Sequence, residues 1–188
     1  MNQQLNGKRI AILATDGVEQ VELLKPQQAL KDAGAHTEVI SPKQGQIQGW
    51  NHDQHGDRIP VDRVLDQANP SDYDALVLPG GVMNPDQLRT IPAAVAFVKS
   101  FFDANKPVAA ICHGPWMIVE ADAARGRHLT SWPSLRTDIR NAGGQWDDQQ
   151  VIVDRNLVTS RKPDDIPAFN QQMIEKFGAA TPVGGGTR

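Results

Sequence analysis

The chain of 188 residues has one cysteine, Cys112, and one tyrosine, and aromatic residues make up only 5% of it. A single cysteine excludes an intramolecular disulfide, and no Cys/His spacing matches a structural zinc site. A reducing compartment, the cytoplasm, is therefore expected. No apolar run approaches the roughly 20 residues that a membrane-spanning helix needs. The opening MNQQLNGKRIAIL places polar residues before a short apolar run, which is not a signal-peptide pattern. Charge of one sign is also missing. A net charge of −3 and a pI of about 5.9 give no electrostatic footprint for nucleic acid or an anionic membrane. There is no P-loop, no GxGxxG after the first apolar run and no metal-ligand cluster, so no cofactor is expected. What remains is 39% hydrophobic and 22% charged, the balance of a soluble globular protein with enough chain for one sizeable core.

Short β-rich runs alternate with helical patterns. RIAILA (9–14), HTEVIS (36–41), DALVLPGG (74–81) and PVAAIC (107–112) predict buried strands. VIV (151–153) and LVTS (157–160) predict two more. QVELLKPQQALKDAG follows the first strand with helical spacing and stops at Gly34, with Pro26 expected to start or kink a helix. A short and a long helix are expected in NPDQLRTIPAAVAFVKSFFDANK, further helices in PWMIVEADAA and SLRTDIRNAGG, and a final one in PDDIPAFNQQMIEKFG. The polar, Gly-rich segment 43–64 is expected as a hairpin or a loop over the sheet edge. Alternating strands and helices imply a mostly parallel sheet with helices on both faces. Residues 1–188 form one expected domain, with 1–7 and 179–188 as flexible tails.

In an open α/β sheet, sites form beyond the carboxyl ends of the strands. Three features fall there: the segment after Ala14, the Gly80–Gly81 pair, and Cys112. A cysteine between a strand and a helix on a tight turn predicts a nucleophile elbow, with the following helix end favouring a thiolate of depressed pKa. The plain alternative is a buried, inert cysteine. Gly114 is expected to leave room for a substrate. Glu19 and Glu22, three apart after the first strand, could present a carboxyl group to the thiol, or merely begin a helix. The bare amides of Gly80 and Gly81 could form an oxyanion pocket. His113 could act as a general base, and Asp86 could orient it, although Asn84-Pro85-Asp86 also fits a simple helix start. His36, His52, His55 and His128 have no usable partner spacing. Trp50, Trp116, Trp132 and Trp146 suit packing or an interface better than a stacking platform.

DGVEQVEL, DALVLPGG, AAICHGP, SWPSLRTDIRNAGG and LVTSRKPDDIPAF together resemble the PfpI (intracellular protease I) family of the class I glutamine amidotransferase-like superfamily, to which a parkinsonism-associated deglycase also belongs. The resemblance runs from about Lys8 to Phe177. It implies a flavodoxin-like α/β sandwich that forms dimers or hexamers, with Cys112 as nucleophile and Glu22, ahead of Glu19, as its carboxyl partner. It also implies an oxyanion pocket from Gly80, Gly81 and the His113 amide. In protease-like members an acid from a neighbouring subunit completes a Cys-His-acid triad. Asp86 sits near that position but is shorter than the usual Glu. Trp132 stands where relatives often carry a His or Tyr, and its indole cannot exchange a proton at neutral pH. The implied function is a cytoplasmic stress enzyme acting without a cofactor on reactive dicarbonyls or glycated proteins. Two alternatives are carried beside it: a cysteine peptidase, which needs His113 and Asp86 to converge, within one chain or across subunits, and a redox sensor or redox-regulated chaperone working through oxidation of Cys112.

Overall fold

In the computed structural model, which describes residues 4–180, the first strand, β1 (Arg9–Leu13), is buried on both faces. Ala11 and Leu13 point into one apolar cluster, Ile10 and Ile12 into another, as the two-residue period of a strand requires. The chain continues through β2 (Val18–Glu19), α1 (Gln20–Asp32), β3 (His36–Ser41), β4 (Gln46–Asn51), β5 (Gln54–Pro60) and β6 (Arg63–Val64). Next come β7 (Ala75–Leu78), α2 (Met83–Leu88), α3 (Pro92–Asp103), β8 (Val108–Ile111), α4 (Trp116–Glu120) and β9 (His128–Leu129). The last elements are α5 (Arg136–Asn141), β10 (Gln145–Trp146), β11 (Val151–Asp154), β12 (Leu157–Ser160) and α6 (Ile166–Ala179).

Seven strands form the central sheet in the order β11-β12-β8-β7-β1-β3-β6. All neighbours are parallel except the edge pair β11–β12. This is the flavodoxin-like, mostly parallel sandwich expected from the sequence. One face packs against α3, α4 and α5 through Phe97, Phe101, Met117 and Ile139, and the other against α1 and α6 through Leu23, Leu30, Phe169 and Met173. Among the described residues no helix is long and apolar enough to cross a membrane.

Local differences from the expected elements have physical reasons. Pro26 lies inside α1, which already starts at Gln20. Its missing N–H deprives one carbonyl, that of Glu22, of its helical partner, and the packed face of α1 holds the helix through it. The helix expected over PWMIVEADAA shortens to α4, and Asp122 beyond it takes a left-handed φ of 52°. Segment 43–64 is a hairpin, β4–β5, with the short edge strand β6 after it. It joins β2 in a separate sheet and stands over the carboxyl end of β1, tied by the N–H of Gln48 donating to Asp16 Oδ1 (2.7 Å) and by Lys43 Nζ on Asp16 (2.8 Å). Of the segments expected as flexible tails, residues 1–3 and 181–188 lie outside the described residues. Leu5 is fully buried, and its N–H donates to the Ala33 carbonyl (2.9 Å).

At the far edge, Glu38 on β3 gathers Arg63 Nε (3.0 Å), Arg9 Nη2 (3.2 Å) and the Tyr73 hydroxyl. The Arg63 hydrogen bond leads in holding its carboxyl down at about 2, well below the usual carboxylate range. A carboxyl depressed on folding stabilises the protein above its unfolded pKa, and that contribution is lost as pH falls through the folded value. Glu38→Gln is therefore expected to melt at a lower temperature than the native chain near pH 7, with the gap closing between pH 4.5 and 2, measured by thermal circular dichroism.

Candidate active site

The carboxyl ends of β1, β7 and β8 converge, and Asn84 at the start of α2 joins the first two. This buried amide accepts from the Thr15 N–H (2.8 Å) and donates to the carbonyls of Pro79 (3.1 Å) and Gly80 (3.0 Å). The Gly80–Gly81 turn is thereby pinned to the segment after β1. Gly81 has a φ of 77°, and a Cβ there would lie 2.3 Å from the Gly17 carbonyl oxygen. A Cβ on Gly80 would lie 2.5 Å from Glu22 Oε2 and 2.7 Å from Cys112 Cβ, so only glycine lets these two side chains meet across the turn.

Cys112 follows β8 immediately and takes a left-handed φ of 62°. Such a backbone is uncommon for a side chain larger than glycine's, and in a packed site it is held by its surroundings. Here its N–H donates to the Ser160 carbonyl (3.0 Å), and its carbonyl accepts from Trp132 N–H (2.8 Å). The thiol lies against the Glu22 carboxyl, across Gly80, and faces the amides of Gly81 and His113. Glu22, on the first turn of α1, is fully buried; its Oε2 accepts the Gly80 N–H (2.9 Å), while Oε1 has no hydrogen-bond partner among the described residues. Burial, aided by the charge of Glu19, pushes this carboxyl up to about 8.

The expectation of a depressed thiol pKa is overturned. Burial first, and then the charge and hydrogen bond of Glu22, push the Cys112 thiol up, outweighing the two amides. The helix-end contribution is small because α4 has five residues and begins four positions beyond the thiol. The thiol and the carboxyl form a coupled, proton-rich pair rather than a standing thiolate.

His113 is buried, with Nδ1 3.2 Å from Cys112 Sγ and Nε2 3.4 Å from Ser134 Oγ. Burial lowers its pKa to about 4, so it is neutral near pH 7. Its ring lies stacked on Trp132 (5.9 Å between centroids) and tilted against Trp116 (5.2 Å).

The other candidates fall elsewhere. Glu19 is turned to the hairpin, where both oxygens accept the His52 N–H at 3.3 Å. Asp86 is exposed and paired with Arg89 (3.1 Å). Gly80 spends its N–H on Glu22, so the amides left facing the sulfur are those of Gly81 and His113. Gly114 is not at the cavity: a Cβ there would lie 2.3 Å from the Leu78 carbonyl oxygen, so its smallness serves the packing of the turn against β7.

Above Cys112 opens a cavity of about 670 Å³, walled by Trp50 and His52 from the hairpin, Val82 and Met83 from the start of α2, Trp132 and Lys162. Sequence reasoning passed over Asn84, Trp50 and His52. Asn84 had the look of a helix start, and the hairpin residues reach the cavity only through the pairing of β2 with β4. Trp116 and Trp146 do pack: one indole donates to Asp138 (2.8 Å), the other to Ser131 (2.9 Å).

A family model described as the DJ-1/PfpI family matches residues 8–176. The chain is 40% identical over 174 residues to protein/nucleic acid deglycase 2 of Escherichia coli, covering 92% of this chain and 99% of that one. It is 44% identical over 170 residues to general stress protein 18 of Bacillus subtilis, covering 89% and 96%. A solved two-domain protein from Anabaena variabilis, with DJ-1/ThiJ/PfpI-like and ferritin-like domains, superimposes with a TM-score of 0.84 at 35% identity, over 93% of this chain and 50% of that one.

A carboxyl whose pKa is raised on folding stabilises the protein below its unfolded value and loses that contribution as pH rises through the folded value. The melting temperature of the native chain minus that of Glu22→Gln is therefore expected to fall between pH 4.5 and about 8, measured by differential scanning calorimetry. A flat difference would show that Glu22 is ionised throughout.

Proposed function

The chain belongs to the DJ-1/PfpI family, and we propose that it is a cysteine-dependent enzyme of dicarbonyl stress, removing α-oxoaldehydes or their adducts on proteins. The observation that carries this reading is the buried Glu22 carboxyl set against the Cys112 thiol at the floor of an open cavity. A carboxyl with a pKa of about 8 is matched to proton transfer near neutral pH.

Cys112 Sγ adds to the aldehyde carbon, and its proton passes to the ionised fraction of Glu22. The oxygen that gains charge is received by the Gly81 and His113 amides. Glu22 then moves the hydrogen of the former aldehyde carbon, as a proton, to the neighbouring ketone carbon, which leaves a thioester of a 2-hydroxy acid. Water cleaves the C–S bond and restores the thiol. The aldehyde carbon is oxidised and the ketone carbon reduced, so the reaction needs no outside oxidant, and methylglyoxal gives lactate. For a glycated amine or thiol, the same attack displaces the protein group before water acts. His113, neutral and 3.2 Å from the sulfur, can orient the thiol or accept its proton.

A peptidase would need an acid to orient His113. Within the chain Nε2 faces Ser134 and Asp86 is paired with Arg89, so a peptidase would need that acid from a neighbouring subunit. A cytoplasmic location and a homo-oligomer, dimer or hexamer, belong to the same proposal and rest on the family resemblance.

Purified, reduced protein is expected to convert methylglyoxal to lactate, with kcat/KM rising with pH toward a plateau above about 8 as Glu22 ionises. Cys112→Ser and Glu22→Gln are each expected to lower the rate by at least about 100-fold. Turnover retained in Cys112→Ser would overturn the proposal. Absent turnover in the native chain, together with a gain of two oxygens on Cys112 in mild peroxide, would favour the sensor reading instead.

A further inference from the structure

The cavity is much larger than methylglyoxal requires. About 670 Å³ lies within the range of roughly 300–1,000 Å³ that holds drug-sized ligands, whereas methylglyoxal has only a handful of heavy atoms. Its walls are also unusual for this chain. Among the described residues four large hydrophobic side chains are exposed, Val82, Met83, Trp132 and Val153, and the first three all line this cavity. An exposed apolar cluster at the mouth of a site marks a surface to be covered, by a ligand or by a neighbouring subunit. Trp50 adds a further aromatic wall, its ring held edge-on by His55 (4.8 Å between centroids).

The charges around the mouth are already engaged. Both Glu19 oxygens accept the His52 N–H, and Lys162 Nζ lies 3.6 Å from Asp164 Oδ2. Trp132 is stacked on the neutral His113 ring beside the thiol, with an interplanar angle of 22°, and is 39% exposed. A flat apolar group attached next to a carbonyl held at Cys112 would meet this indole.

Building on the reading of Cys112 as the group that adds to a carbonyl carbon, we infer that the site takes α-oxoaldehydes bearing an aryl or similarly bulky apolar substituent, and the adducts derived from them, in preference to methylglyoxal. Trp132 is the residue that sets this preference, by stacking on the substituent. The chemistry is unchanged: phenylglyoxal gains one water, its aldehyde carbon is oxidised, its ketone carbon is reduced, and mandelate leaves.

The test compares kcat/KM for mandelate formation from phenylglyoxal with that for lactate formation from methylglyoxal. The native chain is expected to favour phenylglyoxal by at least about tenfold. That ratio is expected to fall about five- to tenfold in Trp132→Ala, the loss of one aromatic stacking contact, and to stay near native in Trp132→Phe, which keeps a ring. Lactate formation without an aryl preference, or a ratio that Trp132→Ala leaves unchanged, would overturn the inference. Failure of both substrates would instead count against the dicarbonyl reading. The aryl subsite is then judged by protection of Cys112 from iodoacetamide by acetophenone. Protection in the native chain and Trp132→Phe that is lost in Trp132→Ala supports it, and equal protection in all three overturns it.

Discussion

A carboxyl group with no exposure to water, set against a thiol, is the constraint around which the site is arranged. Ionised and buried, Glu22 would cost several kcal/mol, while a neutral acid with a hydrogen bond costs far less. The protein takes the second course and holds the acid in its neutral form up to about pH 8. The consequence reaches the sulfur. Cys112 is not a thiolate stabilised by a helix end, but one half of a pair whose reactivity depends on where a shared proton resides.

Geometry enforces the pair. Gly80 separates the two side chains with no room for a Cβ, and its N–H fixes the carboxyl. Asn84 holds the Gly80 carbonyl and the segment that leads into α1, which ties the turn to the segment that carries the acid. Ser160 on β12 and Trp132 bind the backbone of Cys112 from the other side, and its left-handed φ is over-determined by these contacts. Four separate segments therefore meet at one sulfur. This is what the carboxyl edge of a parallel sheet makes possible, because each strand delivers a different loop to the same rim.

The floor and the mouth of the cavity have opposite character. At the floor, amides, acid, imidazole and thiol sit in a low-dielectric setting where small charge movements are strongly felt. At the mouth, Trp50, Val82, Met83 and Trp132 offer apolar surface and little free charge. The hairpin β4–β5 supplies part of that mouth although it lies far from Cys112 in sequence, and it is held there by Asp16 and by the pairing of β2 with β4.

The sequence alone determined the alternation of strands and helices, because continuous apolar runs such as IAIL and VAAI are apolar on both faces of a strand and need helices on either side to cover them. It also singled out Cys112, Glu22 and Gly80–Gly81, since a thiol at a strand end, a carboxyl after β1 and paired glycines are local features with local chemical meaning. Tertiary structure decided which of them touch. The two acids Glu19 and Glu22 look alike in the sequence, but Glu19 ends β2, whose pairing with β4 turns it to the His52 amide, whereas Glu22 on the first turn of α1 is set against the sulfur. Asp86 lies on the surface beside Arg89, so a single chain does not bring it to His113 and only a neighbouring subunit could. The direction of the thiol pKa was likewise out of reach, because it is set by burial and by a neighbour ninety residues earlier in the chain. Desolvation belongs to the folded arrangement as a whole and leaves no mark in local spacing.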